Sequence, residues 1–561
     1  MFDQLGEAGS AGQTEQLFLE LESPTLIVNK LKKVIFMLSE INNDTKSLHK
    51  MPGPEEIKGK GHVEGDLAWF QLNAHKKYGR CFKFKLDADT VAVSTTDISD
   101  LKRCSKIFDK PEKLYSFLEP LMGKLMFLPL GENKSLRHLT ISQFAPPLVQ
   151  KKFGQLVQHL DAEIEDWLSE AEHTKGIIAI QEKTKALAMR LIVMLVCGQD
   201  FTDSAKLGTA IHTALEELLK LQYNPDSHQQ GRLESSLKYI NDTVKQFIES
   251  RRQLKDKKAA VFLDAVLQNY QDEVEIQNIT KETLMAGYHT VASSIAWTLY
   301  ALSTHPEVSQ KLYHEIDSVF KDKPFSYEAL SQLKYLDRVI KESSRRYTVG
   351  PYTAREADKD LVISGYCVPK GTTLFYPIWA VHMDPEYWPD PEKFDPERFK
   401  SSSPSSAFMS YGYGARKCPG MNIAQVLIKL VLARLLLKLT FQESPHFKPE
   451  ICENFVLISK NDIQIRVSSR RKNCCPTINT RYLTYAAIPG ALFLLAGAAA
   501  GGQGVILLSC IGMSTAGYFG FKKRNALAAA IYNFSITRNK IPLTGRENQK
   551  NKPASHFKNS K

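Results

Sequence analysis

Four stretches of the chain carry the apolar pattern of packed helices. Residues 421–437 are apolar with few interruptions, which predicts one long buried helix. Two more stretches are interpreted as helices, at 331–346 and around 282–297. Residues 24–38 are too short and too charged to span a bilayer. They are predicted either to lie along a membrane surface or to form an ordinary core-facing helix.

Two charge-free, mostly apolar stretches lie near the C-terminus, at 482–501 and 504–521. With 20 and 18 residues, each is barely long enough to span a bilayer. Basic triplets at 470–472 and 522–524 flank the pair, which predicts a transmembrane hairpin with both flanks in the cytosol. A single span or a packed soluble hairpin are the alternatives, because abundant Gly and Ala make both stretches weakly hydrophobic.

The 561 residues are interpreted as four parts. These are an N-terminal extension at 1–50, a large globular domain at 51–470, the basic-flanked hairpin at 471–524 and a basic tail at 525–561 that is predicted to be disordered. The net charge is +12, and residues 522–561 contribute +9 of it. A basic segment beside an apolar one favours anionic lipid, and without a nucleic-acid-binding module no nucleic-acid partner is expected.

Cysteine usage and the N-terminal composition bear on the compartment. The nine cysteines show no disulfide-like spacing, which indicates a reducing environment. Residues 1–24 hold five acidic and no basic residues, so they resemble neither a signal peptide nor a transit sequence.

Cys418 is the candidate metal ligand. It stands between two glycines and beside two cations, just before the helix predicted at 421–437. Unpaired N–H groups and the dipole at a helix N-terminus favour an anion, here a thiolate, and a thiolate is a metal ligand. Pro419 would fit the first helical turn, where its missing N–H is not needed. A lone cysteine is more often an inert core residue, but the surrounding pattern argues against that reading.

The loop around Cys418 resembles the haem-ligand loop of the cytochrome P450 superfamily. The family motif, Phe-x-x-Gly-x-Arg-x-Cys-x-Gly, is matched by Tyr411, Gly414, Arg416, Cys418 and Gly420, with one aromatic replacing another at the first position. The resemblance implies a mainly α fold with small β-sheets over 51–470, to which the C-terminal apolar hairpin is added. It also implies haem b, with the Cys418 thiolate as the axial iron ligand.

Two further motifs carry the same resemblance. Glu342 and Arg345, at spacing i, i+3, lie on one helix face, and Arg398 stands in a Pro-Glu-Arg-Phe element. The family implies that these three form a buried structural triad. Residues 286–290 are similar to the family's oxygen-binding helix, which assigns catalytic positions to Ala286, Gly287, His289 and Thr290.

Within that helix, the resemblance implies that Gly287 allows local opening of the helix and that the Thr290 hydroxyl hydrogen-bonds dioxygen. His289 replaces the acid usual in the family. An imidazole could shuttle protons near neutral pH in its place.

Three arginines align with positions that bind haem propionates in the family. They are Arg137, Arg355 and Arg416, although each could instead be a surface arginine. Asn133 stands where the family has a tryptophan. The segment 114–129 corresponds to a loop that covers the substrate pocket. Its apolar residues are candidates for the pocket lining or for ordinary packing: Phe117, Leu118, Leu121, Met122, Leu125 and Phe127.

The resemblance implies a haem-thiolate monooxygenase that inserts one oxygen atom of dioxygen into a lipophilic substrate, such as a sterol, fatty acid or xenobiotic. No Gly-rich nucleotide loop follows a strand, so electrons are expected from NADPH–cytochrome P450 reductase, with cytochrome b5 as a further donor. The expected location is the endoplasmic reticulum membrane, with a mitochondrial membrane as the alternative. The rival hypotheses are an isomerase or dehydratase that needs no external electrons and a non-catalytic haem or membrane scaffold.

Overall fold

The computed structural model describes residues 45–470, except 55–65, 87–89, 108, 125, 224, 225, 227, 255–260, 322 and 402–405. This part of the chain is mainly helical with small sheets, which confirms that prediction. The apolar stretch at 24–38, the hairpin at 471–524 and the tail at 525–561 lie outside the described residues. Within the described residues, no helix combines the length and hydropathy needed to cross a bilayer.

The described residues form sixteen α-helices. In chain order they are α1 Leu67–Tyr78, α2 Ile98–Arg103, α3 Glu112–Tyr115, α4 Glu119–Met122, α5 Leu130–Gln143, α6 Pro146–His173, α7 Ile180–Val196, α8 Ser204–Tyr223, α9 Gln230–Gln253, α10 Phe262–Asn269, α11 Glu273–Thr304, α12 Pro306–Phe320, α13 Tyr327–Leu330, α14 Lys334–Arg346, α15 Ile378–His382 and α16 Met421–Lys438.

Short strands pair into small sheets at the edges of the helical core. They are β1 Lys46–Ser47, β2 Cys81–Lys85, β3 Val91–Thr95, β4 Ile177–Ala179, β5 Thr353–Glu356, β6 Leu361–Ile363, β7 Tyr366–Val368, β8 Thr373–Tyr376, β9 Leu439–Glu443, β10 Ile451–Asn454, β11 Val456–Ser459 and β12 Gln464–Ser469. The strand orders are β1-β7-β6, β2-β3-β8-β5, β4-β12-β9 and β10-β11. In the second sheet β8 pairs parallel to β3 and antiparallel to β5.

Helix α11 runs through the main core. Its N-cap Asp272 accepts a hydrogen bond from the Glu275 N–H at 2.7 Å, and acids in the first turn complement the helix dipole. Buried side chains occur on most faces of α11, which is typical of an interior helix. It packs against α7, α14 and α16, so it connects the elements that later form the site.

The helix predicted at 421–437 is confirmed as α16, Met421–Lys438. Gly420 is its N-cap residue. Pro419 therefore lies before the cap, and its predicted place in the first helical turn is wrong.

An acidic pair joins the start of α1 to β10. The Glu453 carboxylate accepts hydrogen bonds from the Ala68 N–H at 2.9 Å and from the Tyr352 hydroxyl at 2.5 Å, and Asp66 is the N-cap of α1. Burial, with repulsion from Asp66, raises the pKa of Glu453 from 4.5 to about 8. Near neutral pH the pair therefore retains a proton that the unfolded chain would release.

Glu453→Gln is expected to make the protein less sensitive to alkaline pH. Because the folded-state pKa of Glu453 is raised, its favourable contribution is complete below about pH 4.5 and is lost as the pH rises towards 8. Between about pH 6 and pH 9 the variant should lose about 1–2 kcal/mol less unfolding free energy than the wild type, a figure discounted for partial exposure. Urea unfolding at both pH values measures this. Glu450→Gln, in an exposed pair with Lys460, is the control and should follow the wild type.

Candidate active site

Glu342, Arg345 and Arg398 come together as the family resemblance implies. Arg345 donates Nε and Nη2 to the two oxygens of Glu342, both at 2.8 Å, and both side chains are fully buried. Arg398 Nε lies 3.4 Å from Glu342 Oε1. The carboxylate on α14 is thus shared by two guanidinium groups.

The triad also holds the segment that leads towards Cys418. Arg398 donates to the carbonyls of Pro389 at 2.5 Å and Asp390 at 2.7 Å, while the Asp395 N–H donates to Glu342 Oε1 at 2.9 Å. Arg345 adds a bond to the His382 carbonyl at 2.9 Å. Bidentate and charge-assisted bonds of this kind are strong and geometrically specific. The triad therefore fixes residues 382–398 against α14.

A cavity of about 420 Å³ lies between α11 and the cysteine loop, residues 408–420. Helices α5, α7 and α16 are among the elements that form its other walls. Residues that line it include Asn133 and Arg137 of α5, Ile192, Leu195 and Val196 of α7, Ala286, Gly287 and Thr290 of α11, and Tyr411, Arg416, Cys418 and Gly420 of the cysteine loop. A largely apolar cavity with a few convergent polar groups is the usual form of a ligand site.

Cys418 is solvent-accessible and lines this cavity. Its backbone N–H donates to the Tyr411 carbonyl at 2.9 Å, which closes the loop. Burial raises the pKa of the Cys418 thiol, although the Gly420 N–H and nearby cations lower it. The backbone N–H and the cations therefore favour a thiolate as predicted, but burial outweighs them. A bound metal cation would deprotonate the thiol outright, so ligation is the stronger cause of a thiolate here.

Gly414 sets the path of the cysteine loop rather than lining the cavity. Its φ is +70°, and a Cβ there would lie 2.1 Å from the Ser105 carbonyl oxygen. Only glycine tolerates both the left-handed backbone and so close an approach. Gly414 was predicted as a cofactor-binding residue. Its contact with Ser105 instead makes it a positioning residue for Arg416 and Cys418.

Three cations lie together in the cavity wall. Arg137 donates to the Lys417 carbonyl at 2.7 Å, and Arg416 donates to the carbonyls of Met126 at 3.2 Å and Leu128 at 3.0 Å. Lys110, which the sequence did not single out, lines the same cavity. Burial and neighbouring arginines lower the pKa of Lys110 to about 7 and that of Arg416 to about 10. Cations that repel one another in this way form a site for an anion.

Arg355 is placed differently from the other two predicted arginines. It is buried on β5, donates to Thr353 Oγ1 at 2.9 Å and to the Ala354 carbonyl at 2.7 Å, and lies over the Tyr376 ring. It is absent from the residues that line the cavity, whereas its neighbour Thr353 is among them. Arg355 thus contributes positive charge from behind the cavity wall.

The predicted oxygen-binding face of α11 does line the cavity through Ala286, Gly287 and Thr290. The helix is continuous through Gly287, and a Cβ there would lie 3.1 Å from Ile192. Thr290 Oγ1 donates to the Ala286 carbonyl at 2.7 Å. The Thr290 oxygen remains able to accept a further hydrogen bond.

His289 points away from this face. It is 1% exposed, does not line the cavity, and lies beside the rings of Tyr288 and His212. Neither ring nitrogen has a hydrogen-bond partner among the described residues. Burial, followed by repulsion from His212 and Lys185, lowers its pKa to about 3. An imidazole that is neutral and enclosed in this way does not fit the predicted role of a proton shuttle near neutral pH.

The segment 114–129 contributes less to the cavity than its apolar sequence predicts. Leu118, Leu121 and Met122 belong to the main core, and Met126 is the one described residue of this segment that lines the cavity. Leu125 lies outside the described residues. The lining residues that sequence reasoning missed include Lys110, Glu282 and Tyr352. The spacing Glu282–Ala286–Thr290, one residue per helical turn, could have indicated the second of these.

The residues present fit a haem group. Cys418 offers a sulfur ligand to the cavity, glycine at 420 leaves room beside that sulfur, and Lys110, Arg137 and Arg416 can receive carboxylates. Apolar residues of α5, α7 and α11 cover the remaining walls. A mainly helical fold with this site defines the haem-thiolate class of proteins.

Comparison with known proteins gives the family. Residues 60–467 match the family model for Cytochrome P450. Cytochrome P450 3A16 of Mus musculus is 27% identical over 479 residues, which cover 76% of this chain and 92% of that protein. Cytochrome P450 3A17 of Cavia porcellus is 28% identical over 440 residues, 70% of this chain and 85% of that protein. The chain belongs to the cytochrome P450 family of monooxygenases, which are oxidoreductases that use haem b with a cysteine thiolate ligand.

Proposed function

We propose that this protein oxygenates a lipophilic small molecule in the cavity between α11 and the cysteine loop. The observation that carries the proposal is that Cys418 and Thr290 line the same enclosed space, on opposite elements of the fold. Haem b bound there would supply the reduction and activation of dioxygen. Cys418 would hold the iron, and Arg137, Arg416 and Lys110 would receive the propionates.

The remaining residues bind substrate, exclude water and handle protons. Leu136, Ile192 and Val291 give the cavity an apolar surface suited to a sterol, fatty acid or xenobiotic. Thr290 Oγ1 donates to the Ala286 carbonyl and is free to accept a hydrogen bond, and it can release its own proton once the bond to Ala286 is exchanged. Gly287 keeps this part of α11 free of side-chain bulk.

The proposed electron donor is NADPH–cytochrome P450 reductase, with cytochrome b5 as a further donor, because the sequence has no nucleotide-binding loop of its own. The proposed location is the endoplasmic reticulum membrane, with a mitochondrial membrane as the alternative. The basic-flanked apolar segments at 471–524 would provide the attachment, and the catalytic domain would face the cytosol.

The proposal is tested by the carbon monoxide difference spectrum of the reduced protein. A Soret band in the position typical of thiolate ligation, together with product formation that requires NADPH and reductase, is the expected result. Product formation without external electrons would indicate the isomerase or dehydratase reaction instead. Absence of porphyrin from the purified protein would exclude both enzymatic readings.

His289→Phe is expected to leave oxygen activation almost unchanged, because the ring does not reach the cavity. Product formed per NADPH consumed should change by less than about twofold, whereas Thr290→Ala should lower it by about 100-fold if proton transfer passes through that hydroxyl. Because the folded-state pKa of His289 is lowered, the neutral imidazole contributes fully to folding stability above about pH 6.5. This contribution is lost as the pH falls towards 3. The variant should therefore resist acid better than the wild type in thermal melts. A loss of coupling as large as that of Thr290→Ala would contradict the placement of His289.

A further inference from the structure

One carboxylic acid lines the cavity, on the face of α11 that also carries Ala286 and Thr290. Glu282 stands on α11 one helical turn before Ala286 and two turns before Thr290, so the three share a face. Among the described residues that line the cavity, Glu282 is the only carboxylic acid. The surrounding wall includes Leu136, Ile192 and Ile279.

Among the residues that the structure describes, Glu282 has no hydrogen-bonding neighbour to account for its position. Its Oε2 atom is buried without a hydrogen-bond partner among them, and none of their cations lies within ion-pair distance of the carboxylate. A buried carboxylate that lacks a partner is costly, so its place in the cavity requires an explanation, and a bound ligand provides one. The chain therefore maintains an unpaired acceptor inside its ligand cavity.

Three charged groups face Glu282 from the other elements. They are Lys110, Arg137 and Arg416, from the segment before α3, from α5 and from the cysteine loop. Burial raises the pKa of Glu282 from 4.5 to about 7, and these cations oppose that rise. When haem propionates occupy the cations, as the proposed function requires, Glu282 is the group left without a counter-charge.

We propose that Glu282 binds the cationic nitrogen of the substrate, so that this enzyme prefers lipophilic amines to neutral lipophiles of the same shape. A protonated amine supplies the missing hydrogen-bond donor and counter-charge, while its apolar body contacts the rest of the wall. The inference rests on the proposed function in that the same cavity holds haem and substrate. It names the substrate class that the proposed function leaves open.

The test compares two probes of one shape. Biphenylmethyl-dimethylamine and its isobutyl carbon isostere differ only by nitrogen in place of a CH group, and equilibrium dialysis measures their affinities without relying on a haem signal. The wild type should bind the amine at least about tenfold more tightly than the isostere. Glu282→Gln should remove that preference and leave the affinity for the isostere within about twofold.

A matched control variant and the pH dependence of amine affinity provide two further tests. Glu275→Gln makes the same chemical change in the exposed first turn of α11 and should bind both probes like the wild type. In the wild type, amine affinity should rise about tenfold from about pH 6 to about pH 8, because Glu282 becomes charged while the amine remains so. In Glu282→Gln it should stay constant.

Lys110→Met separates substrate binding from a structural ion pair. If Glu282 serves the substrate, removal of this cation should raise amine affinity severalfold. If Lys110→Met and Glu282→Gln instead lower the melting temperature equally and leave the amine preference intact, the carboxylate is a structural partner of Lys110 and the inference is overturned. Equal binding of both probes by a wild type that shows the thiolate Soret band would also overturn it, with the proposed function left standing. If the protein contains no porphyrin but still prefers the amine, the proposed function is refuted and the inference about Glu282 stands.

Discussion

Cys418→Ala is expected to abolish the thiolate Soret band and to lower turnover by more than about 100-fold. The estimate follows from ligand chemistry, because even residues that only orient a metal ligand typically contribute about 10- to 100-fold to affinity or activity. Alanine offers no donor atom, and no other cysteine among the described residues lines the cavity. Some porphyrin should still bind, because the apolar walls and the cations remain. The expected spectrum is therefore one of haem without its sulfur ligand.

Haem content by pyridine haemochrome, the carbon monoxide difference spectrum and turnover measure this result together. Cys367→Ala is the matched control, since Cys367 is an exposed cysteine on β7 that does not line the cavity. It should match the wild type in all three measurements. A Cys418→Ala protein with an intact thiolate band would place the ligand elsewhere and refute the assignment of Cys418.

Glu342→Gln is expected to cause the largest loss of stability of any single substitution considered for this protein. The change keeps the shape of the side chain but leaves Arg345 and Arg398 without a negative partner, and Arg345 is fully buried. Removing one member of a buried ion pair typically costs about 3–5 kcal/mol, because the remaining charge is uncompensated. The Asp395 N–H would also lose a charged acceptor. The cysteine loop should therefore lose its support together with the triad.

Urea unfolding followed by circular dichroism measures the effect. Asp242→Asn provides the control, because it removes a carboxylate from a solvent-exposed pair with Lys238 on α9 and should leave the unfolding midpoint unchanged. Should Glu342→Gln not fold, Arg398→Lys gives a milder test, because lysine keeps the charge but lacks the planar fork that bonds two carbonyls. Midpoints for both triad variants that equal the control would show that the triad does not stabilise the fold.

Local chemistry explains which parts of the site could be predicted from the sequence. Cys418, Arg416 and Gly420 occupy fixed places in one short loop, so their spacing along the chain is also their arrangement in space. Glu342 and Arg345 share a helix face for the same reason. The long apolar run at 421–437 could only be stable when buried, and α16 occupies 421–438.

The positions of other site residues depend on rotation around a helix axis and on contacts between segments that are distant in sequence. His289 and Thr290 are adjacent in sequence, but a helix turns about 100° per residue, so only Thr290 reaches the cavity. Lys110 becomes a cavity residue because its segment meets α5 and the cysteine loop, which no local pattern records. For Leu118 and Leu121 the sequence leaves pocket lining and ordinary packing both open, because apolarity does not distinguish a pocket wall from a packed core; both lie in the core.

Helix α11 has a consequence for protein engineering. One row along it meets the ligand space, while many of its other positions are buried against neighbouring helices; the row comprises Ile279, Glu282, Thr283, Ala286, Gly287, Thr290, Val291 and Ser294. Libraries intended to retarget the enzyme should therefore concentrate on that row, where heat tolerance and selectivity can be varied separately. Substitutions elsewhere on the helix would change selectivity and heat tolerance together, because they alter its packing.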